Sequence, residues 1–172
     1  MILDTITAIK TRRSVRNYKP DAIPREDLLT ILEAGRQAPS AGNRQPWHFV
    51  VVADEALKAE IAEACNSQGW MAEAAFIIAG VALPHASSKW HMVDVAIAME
   101  NMVLAATSLG YGTCWIGAFQ EERIKELLHI PAEMKVVALT PLGVPATTPK
   151  ARGRKAMEEV FSLNRYGQAL VS

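Results

Sequence analysis

Three arginines and a serine crowd one short stretch near the N-terminus, Thr11-Arg12-Arg13-Ser14-Val15-Arg16-Asn17-Tyr18. Forked guanidinium donors match phosphate oxygens two at a time, so the stretch suits an anion; a solvated basic turn has the same composition. A second basic run, Lys150-Ala151-Arg152-Gly153-Arg154-Lys155, lies near the other end, where its ordinary meaning is a charged tail. Between them, Pro39-Ser40-Ala41-Gly42-Asn43-Arg44-Gln45-Pro46-Trp47 offers small residues that let backbone approach a ligand, plus hydrogen-bonding groups at Ser40, Asn43 and Gln45. Such residues also build plain helix-to-strand connections. Cys114-Trp115-Ile116-Gly117-Ala118-Phe119 reads as a strand end, with Gly117 and Ala118 leaving backbone N–H groups uncovered. A β-turn explains that equally well.

Motifs that would carry their own catalysis are missing. There is no GxSxG, HExxH or Walker loop, and no GxGxxG after a strand. The four histidines are scattered; His85 and His91, the nearest pair, fit no helix-face metal site, and none is expected. Cys65 and Cys114 are far apart and lack a CxxC pair, which excludes a disulfide framework and suits a reducing compartment. Lys and Arg total 18, as do Asp and Glu, so the net charge is zero. That argues against a uniformly basic nucleic-acid binder and against retention on acidic membranes by bulk charge.

The elements that must position these groups fit one domain over residues 1–172, half of them hydrophobic. The start, MILDTITAIKTRRS, carries Asp4 and no long apolar core, so it does not read as a signal peptide. The apolar run from Ala74 to Leu83 is about half the length a bilayer span needs. A cytoplasmic protein with no membrane or nucleic-acid partner is expected. Helices are predicted over Asp4–Thr11, from Pro24 in a first turn to before Pro39, over Ala56–Ala64 and over Glu121–Leu128. Strands are predicted over Trp47–Ala53, Phe76–Leu83, Thr113–Ile116 and Lys135–Leu142, with Pro141, Pro145 and Pro149 marking the exit. Trp90–Leu109 is apolar on nearly every side, interrupted by Asp94 and Glu100, and reads as a helix buried all round, either centrally or under a partner subunit. Without a clean βαβ alternation, the fold class is α+β with an antiparallel or mixed sheet.

Taken in order, RRSVRNY, PSAGNRQPWHFVVV, DVAIAMENMVLAATSLGYGTCWIGAF, then LTPLGVP followed by ARGRKAMEEV resemble the FMN-dependent nitroreductase family over nearly the whole chain. That resemblance implies an α/β sandwich whose central, mostly antiparallel or mixed sheet is flanked by helices. It further implies an intertwined homodimer with FMN sites shared between subunits. Arg12 and Ser14 would hold the ribityl phosphate together with Arg152 and Arg154, with Arg13 beside them; Lys150 and Arg152 are the alternative pair. Arg16 would lie near the pyrimidine edge of the flavin. Pro39, Ser40, Ala41 and Asn43 would line the ring from the other subunit, with Ile116, Gly117 and Ala118 opposite and a backbone N–H near N5. Gln68 matches a position for an amide near the ring. The apolar helix would lie in the dimer interface, and residues 160–172 would form an arm toward the partner.

The activity so implied is reduction of nitroaromatics, quinones or similar small-molecule acceptors by NADH or NADPH, in a ping-pong hydride transfer through flavin N5. FMN supplies the redox chemistry, so no general acid or nucleophile is needed. Little chain lies between Leu83 and Trp90, which implies a more open pocket than in larger members. A flavin-binding carrier or sensor without turnover would share every binding motif and is the alternative.

Overall fold

The β-branched and aromatic runs beginning at Trp47, Phe76 and Lys135 pair as the three long strands of one sheet in the computed structural model, which describes residues 3–170. Its strands are β1 (Tyr18–Lys19), β2 (Trp47–Val52), β3 (Phe76–Ala82), β4 (Gly112–Thr113) and β5 (Lys135–Pro145). Their order is β1-β5-β3-β2, with β4 also on β5, and every pair is antiparallel. The helices are α1 (Thr5–Thr11), α2 (Arg25–Arg36), α3 (Glu55–Ala64), α4 (His91–Ser108), α5 (Glu121–Leu128) and the single turn α6 (Met157–Val160).

Strand periodicity explains the layering. Ile77 and Ile78 are neighbours on β3 and point to opposite faces, yet both are fully buried. Ile77 joins Ile61, Met71, Ile124 and Leu139 beneath α3 and α5. Ile78 joins Ile31, Val95, Met99, Met102 and Leu142 beneath α2 and α4. The result is an α+β sandwich with helices on both faces of an antiparallel sheet.

Several boundaries differ from the sequence expectation for local reasons. Asp4 and Pro24 are the caps before α1 and α2 rather than helical residues; Asp4 Oδ1 accepts from the Thr7 N–H at 3.0 Å, satisfying a free helix donor. The strand expected over Thr113–Ile116 shrinks to β4, followed by an isolated bridge from Ile116 to Leu139. Strand β5 does not exit at Pro141 but runs on to Pro145. Leu139 and Ile116 exchange both backbone hydrogen bonds, at 2.9 and 3.0 Å. Pro141, two residues on, faces the same side, where the chain between β4 and Ile116 has left the ladder. Its missing N–H therefore costs no bond there.

This chain by itself buries only one side of helix α4. Asp94, Val95, Ala98, Met99, Met102, Val103 and Ala106 are buried, but Met92, Val93 and Ile97 lie open on its other side. Beyond β5 the chain is exposed from Ala146 through Ala169. Met157, Val160, Phe161 and Leu163 there are each about half exposed. The last two residues of the expected 160–172 arm, and the first two of the 1–172 domain, lie outside the described residues. Among those residues no helix is long and apolar enough to cross a membrane.

Candidate functional site

The N-terminal segment after α1 is locked into place by the fold. Arg12 caps the end of α1, its N–H donating to Ala8 O. Ser14 bridges to Thr113 on β4, and the Val15 N–H donates to Thr113 O at 2.9 Å. The Val15 side chain is buried, and Tyr18, also buried, donates its phenol to Val15 O at 3.0 Å. With Val15 and Tyr18 turned inward, Arg12, Arg13, Ser14 and Arg16 are left on the accessible side.

Those side chains line a cleft of about 440 Å³ with Ile9, Lys10, Arg13, Pro149, Lys150, Ala151, Arg152 and Arg154. The two basic runs from opposite ends of the chain thus meet. Seven of the cleft's eleven residues are cationic and none is acidic. Lys150, Arg152 and Arg154 are all present, so the two alternative phosphate pairs are parts of one wall. The Arg13 guanidinium is aimed by carbonyls alone, donating to Lys10 O at 2.9 Å and Arg12 O at 2.7 Å. Arg154 likewise donates to Arg152 O and Gly153 O, at 3.4 and 3.2 Å. Such bonds orient a guanidinium without neutralising it. Among the described residues, the one carboxylate within ion-pair distance of these cations is Glu100 on α4, 4.0 Å from Arg12 Nε. Its other oxygen accepts from the Trp115 indole at 2.9 Å. Arg16 sits over the Trp70 ring, 5.9 Å from its centroid.

The other expected residues lie outside this cleft. Pro39, Ser40, Ala41 and Asn43 lie on the connection after α2, Pro39 and Asn43 exposed and Ser40 and Ala41 half-buried. Its Ala41 N–H donates to Asp94 on α4 at 3.2 and 3.3 Å. The Gln68 amide donates to Cys65 O at 2.8 Å, closing the end of α3. Ile116 is buried and its backbone is spent on Leu139. Gly117 and Ala118 are exposed and make no backbone hydrogen bond among the described residues. Cys114, behind Ser14, is buried, which pushes its thiol pKa up despite the opposing pull of Arg16.

Reasoning from sequence missed Lys10, Glu100, Asp94 and Trp70. The two acids had a signal, being the carboxylates in an otherwise apolar helix, where a charge needs a partner. Trp70 had none, because only the fold brings it under Arg16.

Comparison with known proteins gives a consistent result. The Nitroreductase family model matches residues 9–79 and 65–144. An Archaeoglobus fulgidus protein with the provisional name NADH dehydrogenase/NAD(P)H nitroreductase is 40% identical over 150 residues, covering 83% of this chain and 86% of its own. A nitroreductase family protein of Clostridium novyi NT, known from its crystal structure, is 39% identical with a TM-score of 0.80, over 98% of this chain and 97% of that one. The NADPH:FMN oxidoreductase of Vibrio harveyi, solved with NAD+, has a TM-score of 0.87 at 28% identity, over 94% of this chain and 77% of that one. This chain belongs to the nitroreductase family.

Proposed function

We propose that the basic cleft holds the phosphate of FMN, and that this oxidoreductase moves reducing equivalents from NADH or NADPH to a nitroaromatic, a quinone or a similar acceptor. The observation that carries the reading is the meeting of two basic runs around a cleft without an acid of its own. A phosphate monoester, a dianion with several acceptor oxygens, fits that donor set. Bound FMN supplies the hydride chemistry. Arg12, Arg13 and Ser14 grip the phosphate from one side, with Arg152 and Arg154 from the other. Arg16, braced on Trp70, holds a positive charge where the flavin gains electron density on reduction. Gly117 and Ala118 offer free N–H groups, and the small residues at 39–43 allow a close approach.

The segment at 39–43 lies away from the cleft, so the reading includes a second copy of the chain that brings it to the ring and completes the site. Met92, Val93 and Ile97 on α4, with Ile6 and Ile9 on α1, leave apolar surface that a homodimer would cover. The exposed apolar residues of the tail are the natural arm for such a dimer.

An anaerobic visible absorption spectrum tests the function. Flavin bands should bleach with NADPH or NADH and return on adding a quinone or nitroaromatic. Bands that persist with both nucleotides would leave a flavin carrier or sensor, and no bands after adding FMN would overturn the site. Light scattering should give twice the chain mass; a monomer that retains FMN would remove the shared site.

A further inference from the structure

We propose that Asp94 is a positioning residue, pinning the Ser40–Gln45 loop in the backbone shape it offers to the cofactor. The inference rests on the reading of residues 39–43 as ring-lining, and its first half stands without that reading. Asp94 is 3% exposed. A buried carboxylate is costly unless hydrogen-bonded, and Asp94 forms no ion pair among the described residues. It accepts the Ala41 N–H through both oxygens, at 3.2 and 3.3 Å, from the first turn of α4, where the helix dipole favours a negative charge.

The loop needs such a tie. Gly42, Asn43 and Gln45 all have positive φ, at 60°, 53° and 48°. L-residues pay to enter that region and stay there only when the surroundings over-determine them. Residues 42–45 are exposed, so apolar packing does not hold them. Three of the loop's other backbone hydrogen bonds are internal: Asn43 N–H to Ser40 O at 2.9 Å, Arg44 N–H to Ala41 O at 3.3 Å, and Gln45 N–H to Ser40 Oγ at 2.9 Å; at its far end Gln45 O accepts from the Trp47 N–H of β2 at 2.9 Å. Asp94 is what fastens this preformed turn to a rigid helix.

Asp94→Leu removes the acceptor while keeping the same branched shape, and Asp94→Asn keeps an oxygen for the Ala41 N–H. Ala41→Pro deletes the donor from the outer side; Ser40 is already extended and Ala41 opens a 3₁₀ turn, so the backbone accepts proline there. Hydrogen exchange over residues 40–45 should quicken about tenfold in Asp94→Leu, with β3 unchanged, and stay near wild type in Asp94→Asn. FMN affinity should fall about tenfold in Asp94→Leu and in Ala41→Pro, with a shifted absorption band of the FMN that remains bound, and Asp94→Asn should rescue both. Unchanged exchange in Asp94→Leu overturns the pin. Quickened exchange with wild-type FMN affinity and band shape overturns the positioning role. Should Asp94→Leu not fold, Ala41→Pro decides: quickened exchange over residues 42–45 together with weakened FMN binding supports the proposal, and wild-type exchange or wild-type binding overturns it. A wild-type protein that takes up no FMN would instead sink the proposed function, leaving the exchange data to judge the pin.

Discussion

Arg12, Arg13 and Arg16 stand on a segment locked into the core, whereas Lys150, Arg152 and Arg154 stand on a fully exposed one. Beneath the first wall Val15 is buried, Tyr18 holds the Val15 carbonyl, and the Asn17 carbonyl accepts from Ala146 N–H at 3.0 Å. In the second wall, Arg154 bonds only to neighbouring carbonyls. The charged chemistry is the same and the order differs. A donor already held in place loses little freedom on meeting an anion, while a mobile one must be ordered first. Under the proposed function, the anchored wall would set the position of the phosphate and the tail would complete the donor set around it.

The largest expected effect separates the walls directly. Arg12→Ala should weaken FMN binding by about 1.5–3 kcal/mol, the usual worth of a hydrogen bond to a charged group. Arg152→Ala should cost about 1 kcal/mol, because part of what that arginine gains is spent on ordering. Titration of the apoprotein with FMN measures both. Equal losses, or a larger one for Arg152→Ala, would break the distinction between the walls.

A core substitution attacks the anchored wall from behind. A Cβ added at Gly112 would meet Val15 Cγ2 at 2.8 Å and Cβ at 2.9 Å. Gly112→Ala should cost about 1–3 kcal/mol of stability through overpacking and also weaken FMN binding by moving Ser14 and Arg16. Denaturant unfolding and FMN titration of the same variant check both. Lost stability with full FMN affinity would show that Val15 does not position the wall.

Much of this was legible in the sequence, and the failures share a cause. Helical spacing located α2 and α5, which bury one face, while β-branched and apolar runs located β2, β3 and β5; β3 is covered on both faces, so its run is continuous rather than alternating. The two-residue strands β1 and β4 show no period, and Pro141 read as an exit because the gap beside it depends on another strand. The apolar α4 read as buried centrally or under a partner, because composition does not say which faces this chain itself covers. At the site, the basic runs were visible as chemistry, and the fold brought them together. Asp94 and Glu100 were seen only as interruptions, since their partners lie 53 and 15 residues away at Ala41 and Trp115.

Tyr18 probes the anchor at a smaller scale. Tyr18→Phe leaves the Val15 carbonyl without its donor and should cost about 1 kcal/mol. Burial, the main cause, pushes the Tyr18 phenol above its ordinary value of 10. A phenol whose proton is held more tightly in the folded state lends stability that is complete below about pH 10. That stability is lost as pH rises further, because the unfolded phenol ionises first. Unfolding free energies from pH 8 to 11 should therefore fall more steeply for wild type than for Tyr18→Phe. Parallel curves would mean that Tyr18 is not buried enough to anchor the segment.

The smallest expected effect sets where the anchored wall ends. Arg16 is exposed at its backbone turn, but its guanidinium rests over Trp70, which in turn stacks on Tyr18 with centroids 6.5 Å apart. If that contact orders Arg16, Trp70→Leu should weaken FMN binding by about 0.5–1 kcal/mol, the worth of an exposed cation–π contact. Leucine still covers Tyr18 with apolar surface, so stability should change less than in Tyr18→Phe. Trp70→Phe, which keeps a π face, should recover most of the binding. Were Trp70→Leu to bind FMN as wild type does, Arg16 would belong with the free cations of the tail, and the anchored wall would stop at Ser14.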